Sequence, residues 1–444
     1  MQGKTPIQAG LFSTPLPQLC RPEHELRQLA DRIDWLEFEK AFGKLYSHTG
    51  RPSKPIRLMV SLLLLKQLYN LSDENVVARW TENPYWQLFS GALNFSWEAP
   101  CEPSDLVHFR NRIGKEGAEK IFKTSVEIHG KQAQEQDIVV DTTVQEKNVT
   151  FPTDTKLHAK IIQKCVKIAD EIGLPLRRSY RRTLPQLLKT AWGGRSPAAR
   201  KAAKKAKKKI KTIAGALVRE LKREFYPHET KLYQRRIELF ERVLAQEKND
   251  KNKVYSLHEP EVACIAKGKV HKQYEFGAKA AIALTKTTGI LVGAQSFTGN
   301  PYDGNTLESL LNQTETLTKS RPKRAVGDKG FRGRKAIGAT EIVIPDAKSK
   351  SLTKYEKTRK RKLFRRRSAV EAAIGHLKND FRMSRNYLKG VVGDSFNLMM
   401  AAAAFNFQKW MKIHFWPLFF QLFSPAFCLQ PAPFFSPKIK MGCF

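Results

Sequence analysis

A charged residue inside an apolar strand constrains this chain more than any other feature. The segment Asp137-Ile-Val-Val-Asp-Thr-Thr-Val144 is a short β-branched run, which is typical of a buried strand within a sheet. Asp141 lies inside that run. A buried carboxylate is costly unless a cation, a metal ion or hydrogen-bond donors compensate its charge. The sequence therefore predicts a sheet that contains an acid with a special partner.

A second acid ends another short strand. In the segment Arg324-Ala-Val-Gly-Asp328 the apolar residues come first, so we expect Asp328 at the end of a strand. The Gly-rich turn that follows carries two cations, Lys329 and Arg332. Charge-assisted hydrogen bonds from such cations suit the recognition of phosphate. Both residues are therefore candidate DNA-binding residues.

A third acid lies in a predicted helix that runs from Arg367 to Lys378. Its apolar residues recur at the spacing of a buried stripe, and Glu371 lies at the edge of that stripe. Arg367 and Lys378 fall within roughly 40° of Glu371 around the helix axis. Taken alone, this segment is better explained as an exposed charged edge with pairing between neighbouring turns. The two acids upstream favour a functional interpretation.

The three acids together define a candidate catalytic site. Two aspartates on adjacent strands and a glutamate on a helix beside them can meet at one point, as we expect for Asp141, Asp328 and Glu371. Hard oxygen ligands without cysteine or histidine suit Mg²⁺ or Mn²⁺. Two such ions about 4 Å apart activate a water or a 3′-hydroxyl and stabilise the leaving oxygen of a phosphoryl transfer. Arg367 and Lys378 are placed to hold a phosphate.

The charge of the chain predicts a polyanionic partner. The net charge is +36, from 78 Lys and Arg against 42 Asp and Glu. Nucleic acid is the default explanation, although a membrane surface or ribosomal RNA would satisfy the same charge.

Basic residues are densest in a predicted helical region, residues 155–253. The segment from Arg195 to Arg223 holds twelve Lys or Arg and one acid. We expect phosphate contacts from a cluster of five lysines there, namely Lys204, Lys205, Lys207, Lys208 and Lys209. A solvated basic face is the alternative interpretation of this cluster.

The two ends of the chain differ in composition from its middle. Residues 1–23 are rich in proline and are expected to be extended, whereas residues 24–130 have helical periodicity with basic positions. This helical domain suits either a DNA-reading module of helix-turn-helix type or plain helical packing, and the sequence leaves both open. The tail, residues 406–444, includes 22 residues without formal charge from Phe415 to Ser436. Four prolines there argue against a membrane-spanning helix, so we expect the tail to pack on the protein or to be poorly ordered.

The cysteines and the first residues indicate a compartment. The six cysteines are scattered without a CxxC pair or a zinc spacing, so we expect free thiols in a reducing compartment. The N-terminus lacks the charged-then-apolar layout of a signal peptide. Together with the charge, these features predict a cytoplasmic protein that binds nucleic acid and not a membrane.

The three acid motifs resemble those of the DDE transposases of bacterial insertion sequences, in the group related to insertion sequences four and five. The matching motifs are Val-Val-Asp-Thr-Thr around Asp141, Gly-Asp-Lys-Gly-Phe-Arg-Gly around Asp328, and Val-Glu-Ala-Ala-Ile-Gly-His-Leu-Lys around Glu371. The Tyr–Arg–Glu–Lys signature of that family corresponds to Phe364, Arg367, Glu371 and Lys378. A phenylalanine therefore stands in place of the tyrosine, which removes a hydroxyl.

The resemblance covers about residues 20–410 and implies an α/β fold with a ribonuclease-H-like catalytic core, a mixed sheet with helices. Residues 131–154 and 254–405 would form this core, joined by an N-terminal all-helical DNA-binding domain and the basic helical insertion. The implied activity is metal-dependent cleavage at terminal inverted repeats and strand transfer into target DNA, by a homodimer in the DNA complex. Glu259 and Asp303 also lie in motifs similar to those of the family, without an assigned role.

Two other function classes remain as alternatives. In the first, the protein binds nucleic acid without catalysis and its acids are structural. Buried carboxylates close to basic residues argue against this alternative, since a simple binder has no use for them. In the second, the protein is a different ribonuclease-H-like nuclease, such as a junction resolvase. The long helical N-terminal region and the basic insertion favour a transposase instead.

Overall fold

The structure is a computed structural model, and its contacts group the chain into two compact units. It describes residues 15–47, 49–50, 52–247, 249–268, 272–345 and 364–423, the side chains only as far as residue 413, and four single residues, 353, 355, 358 and 361. The first unit holds described residues 15–61, 77–102 and 407–423, and the second holds 62–76 and 103–406. These boundaries differ from the sequence-based division, because residues 62–76 and 103–130 contact the sheet-containing unit.

Short capped helices make up the N-terminal region. They are α1 (Leu16–Leu19), α2 (Glu25–Arg32), α3 (Trp35–Gly43), α4 (Ile56–Leu68), α5 (Asp73–Trp80) and α6 (Pro84–Phe89). The predicted cap of α5 is confirmed, since Ser72 Oγ accepts from the Asn75 N–H at 3.2 Å. Within the first unit, Trp35 meets Phe89 edge to face at 5.3 Å between ring centroids. The one-turn helix α1 replaces the extended chain that we expected, and residues 1–14 lie outside the described residues.

A mixed seven-stranded sheet forms the centre of the second unit. Its strands are β1 (Asp137–Glu146), β2 (Ala263–Ala266), β3 (Tyr274–Thr285), β4 (Leu291–Phe297), β5 (Arg324–Val326), β6 (Ala336–Ile337) and β7 (Thr340–Val343). The strand β1 pairs antiparallel with β3 and parallel with β5. The strand β5 pairs parallel with β7, and β3 also pairs antiparallel with β4. The β1 strand and the β3–β4 hairpin that the sequence predicts are thus confirmed.

The start of β1 is held in register by ion pairs. Asp137 pairs across the sheet with Arg324, whose Nε lies 2.7 Å from the Asp137 carboxylate. Lys286 contacts the same carboxylate at 3.3 Å. The hydrophobic residues of β1 are fully buried, as in other central strands whose two faces are covered. The register therefore fixes where Asp141 lies relative to the end of β5.

Helices connect and flank the strands. The helix α7 (Pro103–Glu127) precedes β1 and is interrupted at Gly114, where φ is +58°. The helix α12 (Asp303–Thr318) packs against β3 and β4. We expected Asn305 or Thr306 to cap α12, and this prediction was wrong. Tyr302 stands at the cap position, three residues before Asn305 and four before Thr306, and Asp303 already has helical geometry.

The basic insertion is a set of helices with its own hydrophobic core. It comprises α8 (Asp154–Glu171), α9 (Thr183–Ala191), α10 (Pro197–Glu224) and α11 (Pro227–Ala245). Ile210, Leu217 and Phe240 are fully buried within that core. Since α10 buries one face only, the insertion packs without using the lysines of the opposite face.

Two helices follow the sheet, α13 (Ser368–Asn379) and α14 (Gly390–Phe423). The helix α14 continues beyond the predicted start of the tail at residue 406, because Phe407 and Trp410 are buried and extend its apolar run. The remainder of the predicted tail, residues 424–444, lies outside the described residues. Within the part of the chain that the structure describes, no helix combines the length and apolarity needed to cross a membrane.

A buried ionic network fixes the segment between α13 and α14 to the end of β1. Lys147 Nζ lies 3.1 Å from Glu259 and 2.9 Å from Asp394, and it donates to the Leu388 carbonyl at 2.8 Å. The three charged side chains are 3–6% exposed. Glu259 also accepts from the Gly390 N–H at 3.0 Å. This arrangement gives Glu259 a structural role, because both of its oxygens already have partners.

Candidate active site

Asp141 and Asp328 lie at neighbouring positions on adjacent strands. Val139 pairs with Val326 in the parallel β1–β5 ladder. Asp141 comes two residues after Val139, and Asp328 comes two residues after Val326. Asp141 remains within β1, whereas Asp328 begins a 3₁₀ turn, Lys329–Phe331. Asp328 Oδ1 accepts from the Gly330 N–H at 2.8 Å. The structure thus brings together the two aspartates that the sequence singled out.

The Asp141 carboxylate has too little compensating charge around it. Its pKa is raised from the usual 3.8 to about 6, mainly by burial and also by the negative charge of Asp328. A hydrogen bond from the Thr142 N–H, at 2.7 Å, opposes this shift, as do the charges of Lys267 and Arg367. Like charges that lie together in a partly buried site resist ionisation unless a cation neutralises them. The donor set, two carboxylates short of positive charge, therefore fits a hard divalent cation.

Glu371 lies on a helix that contacts the same strand, but its side chain turns to solvent. Val370, Ala373 and Leu377 bury one face of α13, which contacts β1. The Glu371 side chain is 60% exposed and lies 3.6 Å from Arg367. Among the described residues, no group of three His, Cys, Asp or Glu is arranged to hold a metal ion. The structure therefore brings together two of the three predicted acids.

The predicted phosphate-binding residues of the core lie around this pair. Lys329 and Arg332 are exposed in the turn after Asp328. The Arg332 carbonyl accepts from the Tyr302 hydroxyl at 3.0 Å, which fixes the backbone of that turn. Arg367 acts electrostatically on Asp141 from the start of α13, and Lys378 is half-buried at the end of that helix.

The five lysines of the insertion lie on one exposed face of α10. Lys204, Lys205, Lys207, Lys208 and Lys209 are all exposed, while Ala203, Ala206 and Ile210 between them are buried. No acid of the described chain lies within 4.0 Å of these five ammonium groups. Their positive charge is therefore available to a polyanion.

Sequence reasoning missed two residues beside the aspartates. Lys279 is 9% exposed within β3, and its Nζ lies 2.6 Å from Asp303 Oδ1. The hydroxyl of Thr142 donates to the same oxygen at 2.9 Å. A lone lysine in an apolar strand is the same kind of signal as Asp141 and could have identified Lys279. The contact with Asp303 could not be foreseen, because 161 residues separate Thr142 from Asp303.

Two family models match the chain. One is described as "Transposase domain (DUF772)" and matches residues 15–112; the other is described as "Transposase DDE domain" and matches residues 247–407. The second match includes Asp328 and Glu371 and begins after β1, so Asp141 lies outside it. A curated protein of Rhizobium meliloti, "Uncharacterized protein ORF8 in nfe locus", is 43% identical over 177 residues, which are 39% of this chain and 86% of that protein. No solved structure gives a significant match.

The raised pKa of Asp141 predicts how stability depends on pH in the absence of divalent metal. Below about pH 4 the carboxyl is protonated in both states; between about pH 4 and 6 only the folded protein keeps the proton, so the free energy of unfolding falls as the pH rises. Asp141→Asn carries no charge and escapes this loss. We expect the variant to be more stable than wild type by about 1–3 kcal/mol at pH 8 and to match it at pH 4. Urea unfolding at the two pH values measures both differences.

The matched control is Asp154→Asn, which alters an exposed acid at the start of α8. It should show no gain at pH 8. A gain for Asp141→Asn of equal size at both pH values would contradict the account.

Proposed function

Since the chain belongs to the DDE transposases of bacterial insertion sequences, related to those of insertion sequences four and five, we propose that it cuts DNA at the ends of a mobile element and joins those ends to target DNA. The observation that carries this proposal is the placement of Asp141 and Asp328 at neighbouring positions of the parallel β1–β5 pair, where burial and the charge of Asp328 raise the pKa of Asp141. A protein that only binds DNA has no use for such a pair.

The sheet supports the ribonuclease-H-like core that this proposal requires. In spatial order the strands run β4, β3, β1, β5 and β7, with the first three antiparallel and the last three parallel. A helix follows the hairpin and leads to β5, and another helix, α13, carries the third acid. In this arrangement Asp141 belongs to the central strand, and Asp328 follows the end of its parallel neighbour β5.

We propose that Asp141, Asp328 and Glu371 hold Mg²⁺ or Mn²⁺. When bound, the metal supplies an activated oxygen nucleophile and stabilises the leaving oxygen. The chain's own part is to place the three carboxylates and to bind phosphate. Glu371 is paired with Arg367 only across an exposed helical turn, an interaction of about 0.3 kcal/mol, so its side chain can leave that partner at little cost.

In this proposal the cations around the acids bind the phosphates of the DNA. Arg367, once separated from Glu371, is available to hold the scissile phosphate, as are Lys329 and Arg332 in the turn after Asp328. Lys378 would bind the neighbouring phosphate from the end of α13. Because none of these side chains has a lone pair to give at neutral pH, they contact substrate and not metal.

The insertion and the N-terminal helices supply the rest of the DNA surface in this proposal. The exposed lysine face of α10 suits contacts with phosphates, independent of sequence. Recognition of terminal inverted repeats falls to the N-terminal helical region, and a homodimer would hold two element ends at once. The work of such a protein is on DNA, at the bacterial nucleoid.

Substitution of the acids tests the catalytic part of the proposal. Asp141→Asn, Asp328→Asn and Glu371→Gln each remove a metal-binding charge with almost no change in shape. The substrate is a duplex that carries the flanks of the gene. We expect each variant to lower the rate of its Mn²⁺-dependent cleavage by at least about 100-fold. That is more than the loss expected when only a hydrogen bond to a metal ligand is removed. DNA affinity should stay within about twofold, as electrophoretic mobility shift would measure.

The control for this series is again Asp154→Asn, which should cleave normally. Normal cleavage by any one of the three variants would remove that residue from the site. If all three cleave normally, the acids are structural and the protein is a nucleic-acid binder.

Neutralisation of the lysine face tests the DNA-binding part. Replacing the five lysines of α10 by glutamine leaves up to five phosphates without a protein cation. We expect the slope of log affinity against log salt to become shallower by about 0.9 for each phosphate that the variant no longer neutralises. Measurements between low and moderate salt by fluorescence anisotropy give this slope.

The control is the double variant Lys231→Gln with Arg235→Gln on the exposed surface of α11, which should leave the slope unchanged. An unchanged slope for the five-lysine variant would assign the lysines of α10 to a solvated face.

A further inference from the structure

Asp303 connects the two segments that carry the catalytic aspartates. Its Oδ1 accepts from the Thr142 hydroxyl at 2.9 Å, and Thr142 is the residue after Asp141 in β1. Consecutive residues of a strand project to opposite faces, so this bond holds β1 while the Asp141 carboxylate stays open on the other face. Asp303 thus contacts the central strand one residue from the acid.

The second oxygen of Asp303 faces the turn that follows Asp328. A Cβ placed on Gly330 would lie 2.5 Å from Asp303 Oδ2 and 2.9 Å from Asp328 Oδ1, so both carboxylates border the same Cα. Only glycine leaves room for this approach, since real Cβ atoms do not come so close to other atoms. The turn of Asp328 is therefore closely packed against the start of α12.

The buried Lys279 determines whether Asp303 can bind a metal ion. Lys279 Nζ lies 2.6 Å from Asp303 Oδ1 and also donates to the Pro301 carbonyl at 2.6 Å. This ammonium neutralises Asp303, so the carboxylate adds no third negative charge to the aspartate pair. A divalent ion bound directly to Oδ1 would be repelled by the ammonium. Asp303 is therefore suited to hold Thr142 by a hydrogen bond and to pack against the Gly330 turn, and not to act as a metal ligand.

We propose that Asp303, charge-paired with Lys279, is a positioning residue that sets the separation of Asp141 and Asp328 through the Thr142 hydroxyl and the Gly330 turn. This inference rests on the proposed function, since it assigns the residue that prepares the metal site. Groups behind metal ligands orient them, and their loss typically lowers metal affinity by about 10- to 100-fold. The same loss is expected when the bridge is opened.

The bridge is best opened at Thr142. A change at Asp303 would leave Lys279 as a buried unpaired cation and risk unfolding. Thr142→Val removes the hydroxyl, keeps the β-branched shape and leaves the Asp303–Lys279 pair intact. Thr142→Ser restores the hydroxyl. Thr314→Val is a matched control, because it removes a buried hydroxyl that donates to the Leu310 carbonyl at 2.9 Å within α12.

The measurement is Mn²⁺ binding to the full-length protein without DNA, from the electron paramagnetic resonance signal of free Mn²⁺, together with the melting temperature in the absence of metal. Asp141→Asn should abolish the Mn²⁺ site. We expect Thr142→Val to lower the Mn²⁺ affinity of that same site by about tenfold. Thr142→Ser and Thr314→Val should bind Mn²⁺ as wild type does. The melting temperatures of the two valine variants should fall by similar amounts, so that lost stability alone does not explain the weaker binding.

The outcomes separate this inference from the proposed function. Wild-type Mn²⁺ affinity in Thr142→Val, in a protein whose binding depends on Asp141, would overturn the positioning role alone and leave the metal site standing. Equal weakening by Thr314→Val would also overturn it, because the effect would then follow from stability. A wild-type protein without Asp141-dependent Mn²⁺ binding would refute the proposed metal site and the positioning role with it.

Discussion

Partial burial of the Asp141 carboxylate in β1 is the constraint on which the arrangement of the site depends. The Thr142 N–H donates one hydrogen bond to this carboxylate, and the remaining cost of its charge must be compensated by other groups. The negative charge of Asp328 raises the pKa of Asp141 further, and the charges of Lys267 and Arg367 lower it only in part. The resulting lack of positive charge is what a divalent cation would supply.

The contrast with the other buried charges of the same unit supports this interpretation. Lys147, Glu259 and Asp394 form a closed network in which each charged group has an opposite charge and further hydrogen bonds. That network holds one positive and two negative charges, whereas the pair of Asp303 and Lys279 is neutral. Asp141 and Asp328 are two partly buried acids for which the described residues form no ion pair within 4.0 Å. Closed networks stabilise a fold, whereas an uncompensated pair is expected at a functional site.

Local patterns in the sequence predicted much of the fold and part of the site. The β-branched run of β1, the hairpin of β3 and β4 and the helix of Glu371 follow from periodicity, which depends on neighbouring residues alone. The sequence predicted one acid inside a strand and another at the end of a second strand, and the parallel pairing of β1 with β5 brings Asp141 and Asp328 together. The start of α12 was missed because asparagine and threonine are preferred caps, while here Tyr302 holds that position. The contacts of Asp303 depend on the register of β3 against β1, which no local pattern specifies.

The central claim is that Asp141 and Asp328 hold a divalent cation and that Glu371 joins them. Fe²⁺ substitutes for Mg²⁺ at oxygen ligands and, with ascorbate and peroxide, cleaves the polypeptide next to the bound ion. The account predicts cuts beside Asp141 and Asp328 in the protein alone, an added cut beside Glu371 when DNA is bound, and the loss of all three in Asp141→Asn. Cuts at other places, or the same cuts in Asp141→Asn, would contradict it.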